Sequence, residues 1–373
     1  MRWTQRAAAD GRPLLPDAGA LRVALVIPAQ GPAGIFGPAC ELCAGLAAEE
    51  VNAAGGVLGR ELHLVPVDGG GPPGRVADEV AALVGSGLVE GVTGWHISSV
   101  RQAVAPRIAG RVPYVYTALY EGGERTEGIY LTSETPDSQL LPAVRLLAAE
   151  LRVRRWFLVG NDYVWPRRTS RAAHRYIRSA GGRVCGEEYV PLGNRDFGRV
   201  LRRIETSDAD AVLMLLVGSD AVRFNRAFAA RGLHQRTLRL STLMDENMLM
   251  ASGARATQGL YSTAGFFASL ATADTLDFHG RYTARYGLTA PAPGSLGESC
   301  YEGVLLLAAL IARAGSPAVA AIERAADQVS YEGARGLLRL TGRHVRQRIY
   351  LAQADGLDFS VAADLDAWSG ERA

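Results

Sequence analysis

Short apolar runs alternate with amphipathic stretches over most of the chain. The runs at 21–27, 61–67, 89–93, 114–116, 156–159, 183–189 and 211–216 predict β-strands. Periodic stretches at 36–54, 74–84, 99–109, 136–151, 169–179, 197–206 and 220–231 predict helices, and a Gly55-Gly56 pair ends the first of them. This alternation is typical of an α/β protein whose parallel sheets carry helices on both faces.

One loop places two aromatic residues directly after a predicted buried strand. Tyr163 and Trp165 follow the apolar run 156–159, and Pro166 suits the first position of a helix. Ligands of open α/β sheets bind at the carboxyl ends of the strands, where two aromatic rings would provide flat apolar walls. Spacing alone leaves a second interpretation open, in which both rings belong to the core beside a helix.

The same loop, GNDYVWPR at 160–167, resembles a loop of the type I periplasmic-binding-protein fold. The resemblance is to the branch that contains the aliphatic-amidase negative regulator and the urea and short-chain amide binders. Further motifs of this branch occur along the chain in the order in which the family has them, at 52–60, 94–101, 120–122, 217–219 and 365–369. It implies a two-lobed α/β fold in which each lobe is a parallel sheet flanked by helices, with a ligand cleft between the lobes.

The resemblance also implies how the chain is divided between the lobes. Residues 20–134 and 262–327 are expected in the N-terminal lobe, and residues 135–261 and 328–370 in the C-terminal lobe. Residues 1–19 are expected to form an N-terminal extension.

Candidate ligand-binding residues follow predicted strands of both lobes. One of Ser98 and Ser99 is expected to be the N-cap of the helix that follows. Free N–H groups and a hydroxyl at that point can hold a ligand oxygen at the positive end of the helix dipole. Simple capping is the alternative, and the resemblance favours a ligand contact for Ser98. The full candidate set is His96, Ser98, Ser99, Tyr116, Thr117, Ala118, Tyr163, Trp165, Val217, Ser219 and Met244.

Three positions depart from the amide regulator. Ala118 and Leu119 stand where that protein has threonine and proline, and Trp165 stands where it has a second tyrosine. A lost hydroxyl removes a hydrogen-bond partner, so the identity of the ligand cannot be carried over from the resemblance.

Composition and motifs argue against an enzyme. All 40 basic residues are arginine, and without lysine neither a P-loop nor a Schiff base can form. Neither a G-x-S-x-G elbow nor an H-E-x-x-H motif is present, and Cys40 and Cys43 are expected to be packed thiols. The net charge of +2 offers no case for nucleic-acid binding. We therefore expect a non-catalytic protein without a metal or cofactor.

Two functions fit these expectations. The first is a cytoplasmic sensor that binds a small, uncharged, amide-like ligand and reports to an antiterminator that controls amidase-type genes. The alternative is the substrate-binding protein of an ABC importer for urea, short-chain amides or amino acids, which docks on a permease. Amino acids are less favoured, because no acidic residue is clearly placed to bind an α-amino group. In both cases the ligand drives hinge closure by contacting both lobes.

The N-terminus favours the sensor. It shows no apolar segment typical of a secretory signal, so a cytoplasmic location is expected, with a periplasmic or lipid-anchored location as the alternative if the chain has been trimmed. The longest apolar run, 304–312, is too short to cross a bilayer, so no membrane insertion is expected. The sequence does not identify the ligand or the partner, and it does not decide whether the protein forms a homodimer.

Overall fold

The computed structural model describes residues 19–327 and 329–369. In these residues the strands, in chain order, are β1 (Leu21–Ile27), β2 (Leu62–Asp68), β3 (Gly91–Gly94), β4 (Tyr114–Tyr116), β5 (Ile129–Leu131), β6 (Arg155–Asn161), β7 (Arg183–Val190), β8 (Ala211–Leu215), β9 (Leu238–Ser241), β10 (Leu260–Ala264), β11 (Ser330–Gly333), β12 (Gly336–Thr341), β13 (His344–Arg346), β14 (Tyr350–Asp355) and β15 (Asp358–Asp364).

The α-helices of the same residues are α1 (Gly37–Ala53), α2 (Pro73–Gly85), α3 (Ser98–Ile108), α4 (Pro136–Glu150), α5 (Val164–Ser179), α6 (Gly198–Glu205), α7 (Ser219–Ala230), α8 (Glu246–Ser252), α9 (Ala254–Thr257), α10 (Ala273–Tyr286), α11 (Ser295–Ala314) and α12 (Val319–Ala325). Short 3-10 helices lie at Pro32–Ile35, Leu233–Gln235 and Asp366–Trp368.

The strands form two separate sheets. The first has the order β11-β12-β13-β5-β4-β3-β1-β2, and the second has the order β15-β14-β10-β9-β8-β6-β7. Neighbours within β1–β5 and within β6–β10 pair in parallel, as expected for strands joined by helical crossovers. The predicted two-lobed α/β fold is confirmed.

Both sheets are mixed, whereas the prediction was of parallel sheets. Strands β11, β12 and β13 pair antiparallel with one another, and β14 pairs antiparallel with β10 and β15. Strands β11 to β13, and likewise β14 and β15, follow one another through short turns, and a short turn permits only antiparallel pairing. Strands β10 and β14 lie far apart in the chain, so their antiparallel pairing comes from the tertiary fold.

The chain passes between the two sheets three times. The passages follow β5, β10 and β13, so residues 330–346 belong to the first sheet. The prediction placed residues 328–370 in the C-terminal lobe, which is too early by three short strands, because β13 pairs with the edge of β5 before the chain returns. The expected extension at 1–19 lies outside the described residues except for Gly19, and residue 370 also lies outside them.

Helix α11 forms the core of the first lobe. It packs against α1 and against β3 and β4 of the first sheet. Among the described residues it is the helix with the length and apolar composition of a membrane span, and 78% of its most apolar window is buried inside the protein. A helix buried in the core of a protein can have the same length and apolar composition as a membrane span.

Candidate functional site

The candidate site lies where the carboxyl ends of strands from both sheets meet. In the first lobe, residues 95–98 follow β3 and residues 117–118 follow β4. In the second lobe, Tyr163 follows β6, residues 217–219 follow β8 and Met244 follows β9. This edge is where open α/β sheets bind ligands, and here two such edges face each other across a cleft.

Ser98 is the first residue of α3 and is not its N-cap. Ile97 occupies the N-cap position in an extended conformation, and no side chain of the described residues caps this end. The expectation that a serine caps the helix is therefore wrong. The Ser98 side chain is 2% exposed, and its Oγ has no hydrogen-bond partner in the described part of the chain. Ser98 thus presents a buried hydroxyl beside its own N–H group and that of Ser99, whereas the N–H of Val100 already donates to the Ile97 carbonyl oxygen (2.9 Å).

Trp95 is a second buried donor, and the sequence analysis did not select it. Its ring is 2% exposed and packs edge-to-face on Phe36 with 4.8 Å between the centroids, while its Nε1 has no partner among the described residues. Trp95 and Thr242 line a small cavity between the lobes, and the Thr242 hydroxyl is also buried without a described partner. The signal available in the sequence was the position of Trp95 directly after β3, at the same strand end as Ser98.

His96 turns its polar atoms toward the interior of the first lobe. Its Nδ1 donates to the carbonyl oxygen of Val26 (3.0 Å), and its Nε2 accepts from the hydroxyl of Tyr114. Burial lowers the pKa of His96 to about 4, so the ring is neutral at pH 7. Tyr116 fixes the same segment by donating its hydroxyl to the His96 carbonyl oxygen (2.7 Å). His96 therefore supports the loop that carries Trp95 and Ser98.

Thr117 and Ala118 follow β4 and are both buried. The Thr117 Oγ1 lies 3.7 Å from the Sγ of Cys300 on α11, so its hydroxyl faces the core of the first lobe. Its carbonyl oxygen accepts a hydrogen bond from the hydroxyl of Ser133. The structure gives Thr117 a partner within its own lobe.

Tyr163 stands at the N-cap of α5, and the helix begins five residues earlier than the predicted 169–179. Burial raises the pKa of Tyr163 well above its ordinary value, and Tyr116 and Glu121 of the first lobe raise it further. Those two groups belong to the opposite lobe, so Tyr163 faces across the cleft. Trp165 is 2% exposed in the first turn of α5, with its ring centroid 6.2 Å from that of Tyr163.

The loop at 217–219 is where the second lobe touches the first. Val217 donates its N–H to Asn161 Oδ1 (2.8 Å), which fixes the loop to the end of β6. Gly218 has φ 50°, and a Cβ atom built on it would overlap the carbonyl oxygen of Pro32 in the first lobe. The structure therefore holds the lobes closed at this point, with Ser219 as the first residue of α7.

Met244 does not reach the candidate cleft. Its Sδ lies 3.9 Å from Nδ2 of Asn225 on α7, and its carbonyl oxygen accepts from the hydroxyl of Ser262 (3.0 Å). Both contacts lie within the second lobe. The structure thus brings Ser98, Tyr163 and the 217–219 loop to the facing edges, whereas the polar atoms of His96, Thr117 and Met244 are engaged within single lobes.

Arg101 is the basic residue of α3 that lies closest to Ser98 along the helix, and it already forms ion pairs with acidic side chains. Arg101 is 3% exposed, donates to Glu121 (2.8 Å) and forms a second ion pair with Glu124. Its guanidinium also lies 4.9 Å from the ring centroid of Tyr120. The positive potential at the cleft therefore comes from the first turn of α3, which has no side-chain cap in the described residues, whereas the first turn of α7 carries the buried side chain of Asp220. In the same residues, no group of three or more His, Cys, Asp or Glu side chains is placed to hold a metal ion.

Two lobes, a threefold chain passage and helix N-termini directed into the cleft together define a hinged binding protein for small molecules. The chain belongs to the periplasmic binding protein family, whose sequence model matches residues 20–358. Members of this family bind ligands and are not enzymes. The amidase-regulator branch that the loop motifs indicated is not supported.

Similar proteins include solute-binding proteins of ABC transporters. A Leu/Ile/Val-binding protein homologue of Brucella melitensis is 26% identical over 281 residues, which covers 72% of this chain and 71% of the relative. An ABC transporter solute-binding protein of Rhodopseudomonas palustris, solved with 3,4-dihydroxybenzoic acid, has a TM-score of 0.82 at 22% identity and covers 94% of this chain and 98% of its own. A branched-chain amino acid transporter substrate-binding protein of Streptococcus pneumoniae, solved with isoleucine, has a TM-score of 0.80 at 19% identity, covering 92% of this chain and 98% of its own.

These relatives overturn the first functional prediction. They are amino-acid-binding and ABC-transporter proteins, so the prediction of a cytoplasmic amide sensor that acts through an antiterminator is wrong. The cytoplasmic location and the amide ligand lose their support with it. The failed inference rested on a series of collinear motif matches and on the absence of a visible signal segment, and neither reports the chemistry of the cleft.

Proposed function

We propose that the protein is the solute-binding protein of an ABC importer, acting outside the cytoplasmic membrane, and that its cargo is a small monocarboxylate with an apolar body. The family and the importer role of its relatives support this function. The relatives solved with ligands hold 3,4-dihydroxybenzoic acid and isoleucine, both of which carry one carboxyl group on an apolar frame.

The observation that carries the ligand class is the start of α3. The Ser98 hydroxyl is buried and unpartnered in the described residues, and it lies beside the free N–H groups of an uncapped helix. A carboxylate satisfies both, because it accepts several hydrogen bonds and is stabilised by the positive end of the helix. The Tyr163 ring on the opposite lobe would then cover the apolar body of the ligand.

A second candidate is an α-amino acid, which adds an ammonium group to the same frame. Glu121 favours it, because one of its carboxylate oxygens, Oε2, is buried without a partner among the described residues. The Glu121 side chain is fully buried, and its charge raises the pKa of Tyr163 across the cleft. Glu121 shares Arg101 with Glu124, so an ammonium group near Tyr163 would supply a second cation for these two carboxylates.

A ligand panel separates the candidates. Calorimetry and thermal unfolding should be measured with benzoate, 4-hydroxybenzoate and leucine, and in parallel with benzamide, 4-hydroxybenzamide and leucinamide. We expect at least one acid to bind and its amide to bind at least tenfold more weakly, because the amide carries no negative charge for the α3 N-terminus. Leucine bound more tightly than the benzoates supports the amino-acid candidate. Amides that bind as well as the acids, or a panel in which no compound binds, would reject the proposed ligand class.

The importer role has a separate test. Deletion of the gene in the source organism should abolish uptake of the radiolabelled acid that binds most tightly in the panel. Complementation with the intact gene should restore uptake, and a Ser98→Pro variant should not, since proline removes an N–H group at the helix start. Uptake that is unchanged by the deletion would contradict an importer role.

A further inference from the structure

Two adjacent carboxyl residues are buried at the start of α8. Asp245 is the N-cap and accepts the N–H of Met248 (3.0 Å), and Glu246 Oε1 accepts the N–H of Ala268 (2.7 Å). The residues are 1% and 4% exposed, and Glu246 Oε2 has no partner in the part of the chain that the structure describes. Within the same residues, neither carboxyl forms an ion pair.

This turn belongs to the second lobe and packs against the first. Helix α8 contacts α7 and β15 of the second lobe. The next side chain, Asn247, donates to the carbonyl oxygen of Ala292 (2.9 Å) and accepts the N–H of Ala292 (3.1 Å), in the loop that leads into α11. A Cβ built on Gly294, the N-cap of α11, would lie 2.5 Å from Glu246 Oε2 and 3.0 Å from Asp245 Cβ, so both residues lie against this glycine. The carboxyl pair is therefore enclosed by surfaces of both lobes.

The groups that face the pair do not supply a compensating cation. Asp245 faces Cys40 on α1, and Glu246 faces Asp245 on its own turn and Asp358 on β15. His279 on α10 lies near the same contact between the lobes. Burial lowers the pKa of His279, so its ring is favoured in the neutral form. Two neighbouring carboxyl groups that are both ionised, both buried and without a cation beside them are strongly unfavourable.

Burial is the main cause of the altered acidity. It raises the pKa of Glu246 to about 8, with a further contribution from the charge of Asp245, and it raises the pKa of Asp245 to about 6. The Asp245 carboxyl is stabilised as an anion by the N–H of Met248 and by Asn247. Of the two, Glu246 is therefore the group that keeps a proton at neutral pH.

Building on the importer function proposed above, we propose that closure of the lobes around ligand takes up one proton, which is held on the carboxyl group of Glu246. In the open protein the turn at Glu246 separates from the loop at 292–294, and water ionises the carboxyl group. In the closed protein the proton occupies Oε2, the oxygen without a partner. The contact between the turn at Glu246 and the loop at 292–294 is thus a proton site that forms when ligand closes the lobes.

The direction of the pH effect follows from linkage. A carboxyl group whose pKa is higher in the closed form binds its proton more tightly there, so closure is most favourable at low pH. Between the ordinary pKa of glutamate and about 8, each unit of rising pH makes closure up to about tenfold less favourable. Above about 8 the effect is complete, because both forms are then ionised.

The test is the number of protons taken up on binding. The tightest-binding acid of the panel should be titrated into the full chain between pH 7.0 and 8.0, above the range in which Asp245 titrates, in phosphate and in Tris, whose ionisation enthalpies differ. We expect uptake close to one proton per ligand at pH 7.0 and a Kd that rises with pH by up to about tenfold per unit. The panel acids keep a constant charge in this range, so their own titration does not contribute.

Two variants assign the proton. Glu246→Gln keeps an oxygen for the Ala268 N–H and should bind with a Kd independent of pH and without proton uptake. Glu79→Gln makes the same chemical change at an exposed position of α2 and should behave as the wild type. Wild-type uptake close to zero, or uptake that persists in Glu246→Gln, overturns the proposal.

A ligand-free measurement checks that the proton arrives with the ligand. In the open, ligand-free protein the Glu246 carboxyl group is ionised, as it is in the unfolded chain, so the urea stabilities of the wild type and of Glu246→Gln should change in parallel between pH 7.0 and 8.0. A wild type that loses stability relative to Glu246→Gln as pH rises would show that the ligand-free protein already holds the proton, which overturns uptake on binding. Binding without proton uptake rejects the proton site alone, whereas a panel in which no compound binds rejects the proposed ligand class and, with it, ligand-driven uptake.

Discussion

Two aromatic side chains at the start of α5 lie in different surroundings, and truncation should separate their roles. Tyr163 faces Tyr116 and Glu121 of the opposite lobe, whereas Trp165 is 2% exposed in the first helical turn. We expect Trp165→Ala to lower the free energy of unfolding by about 3–5 kcal/mol, as for a buried aromatic. We expect Tyr163→Ala to lower ligand affinity at least fivefold, about 1 kcal/mol, with a smaller effect on unfolding.

Urea unfolding and calorimetry on both variants provide the measurement. The sequence alone left two interpretations of this pair open, one as ligand walls and one as core. A Trp165→Ala variant with wild-type stability and lost affinity would return Trp165 to the cleft wall. A Tyr163→Ala variant with unchanged affinity would remove Tyr163 from it.

Ser98 offers the second prediction at the scale of single residues. Its hydroxyl is buried and unpartnered among the described residues, so a ligand oxygen is its expected partner. Ser98→Ala should weaken binding by about 1 kcal/mol, roughly fivefold, as expected for one neutral hydrogen bond. Ser99→Ala is the matched control, because Ser99 is the next residue and is only partly buried. Calorimetry that gives the same loss for both variants would contradict a specific role for Ser98.

At the scale of elements, the N-terminus of α7 and the 3-10 helix Pro32–Ile35 form the contact that closes the lobes. A Cβ on Gly218 would overlap the Pro32 carbonyl oxygen, and only separation of the lobes relieves that overlap. Gly218→Ala should therefore weaken ligand binding by at least about tenfold, or 1.4 kcal/mol, because the closed form is the one that contacts ligand from both sides.

A matched control separates lobe closure from backbone strain. Gly232 also has a positive φ, 70°, in the second lobe, and a Cβ built there meets only Gln235 Oε1, at 3.9 Å, among the described atoms. Gly232→Ala should lose stability through the left-handed conformation but keep its ligand affinity. Calorimetry and urea unfolding on both variants make the comparison. If Gly218→Ala binds as tightly as Gly232→Ala, the contact with Pro32 does not control closure.

At the scale of the whole molecule, ligand should stabilise both lobes together. The chain passes between the sheets three times, and ligand contacts are expected on both sides of the cleft. A ligand that binds only the folded protein, present at one hundred times its Kd, should raise the free energy of unfolding by about 2.7 kcal/mol. Tryptophan fluorescence during urea unfolding reports both lobes, because Trp95 and Trp165 lie in different ones. Stabilisation of one lobe alone would contradict a shared site.

Much of the candidate site was visible as strand ends. Ser98, Tyr163 and the 217–219 loop were predicted because each follows an apolar run, and the structure places all of them at facing sheet edges. Trp95 was missed although it follows the same strand as Ser98. His96 and Thr117 were selected on the same ground, but their polar atoms bond within the first lobe. Position along a strand fixes which edge a residue occupies, whereas its side-chain direction depends on the neighbours it packs against.

The sequence by itself determined the alternation of strands and helices and the edge at which ligand residues gather, because these follow from local periodicity and from the short loops after strands. The division into two lobes was predicted from the resemblance to type I periplasmic binding proteins and not from periodicity. Only the tertiary structure decided that residues 330–346 join the first sheet, since β13 pairs with β5 across more than two hundred residues of chain. It also decided that Ile97 holds the N-cap position and that Gly218 meets Pro32. The enclosed pair Asp245 and Glu246 belongs to the same class of feature. Its acidity depends on surfaces from two lobes, which no local pattern in the sequence records.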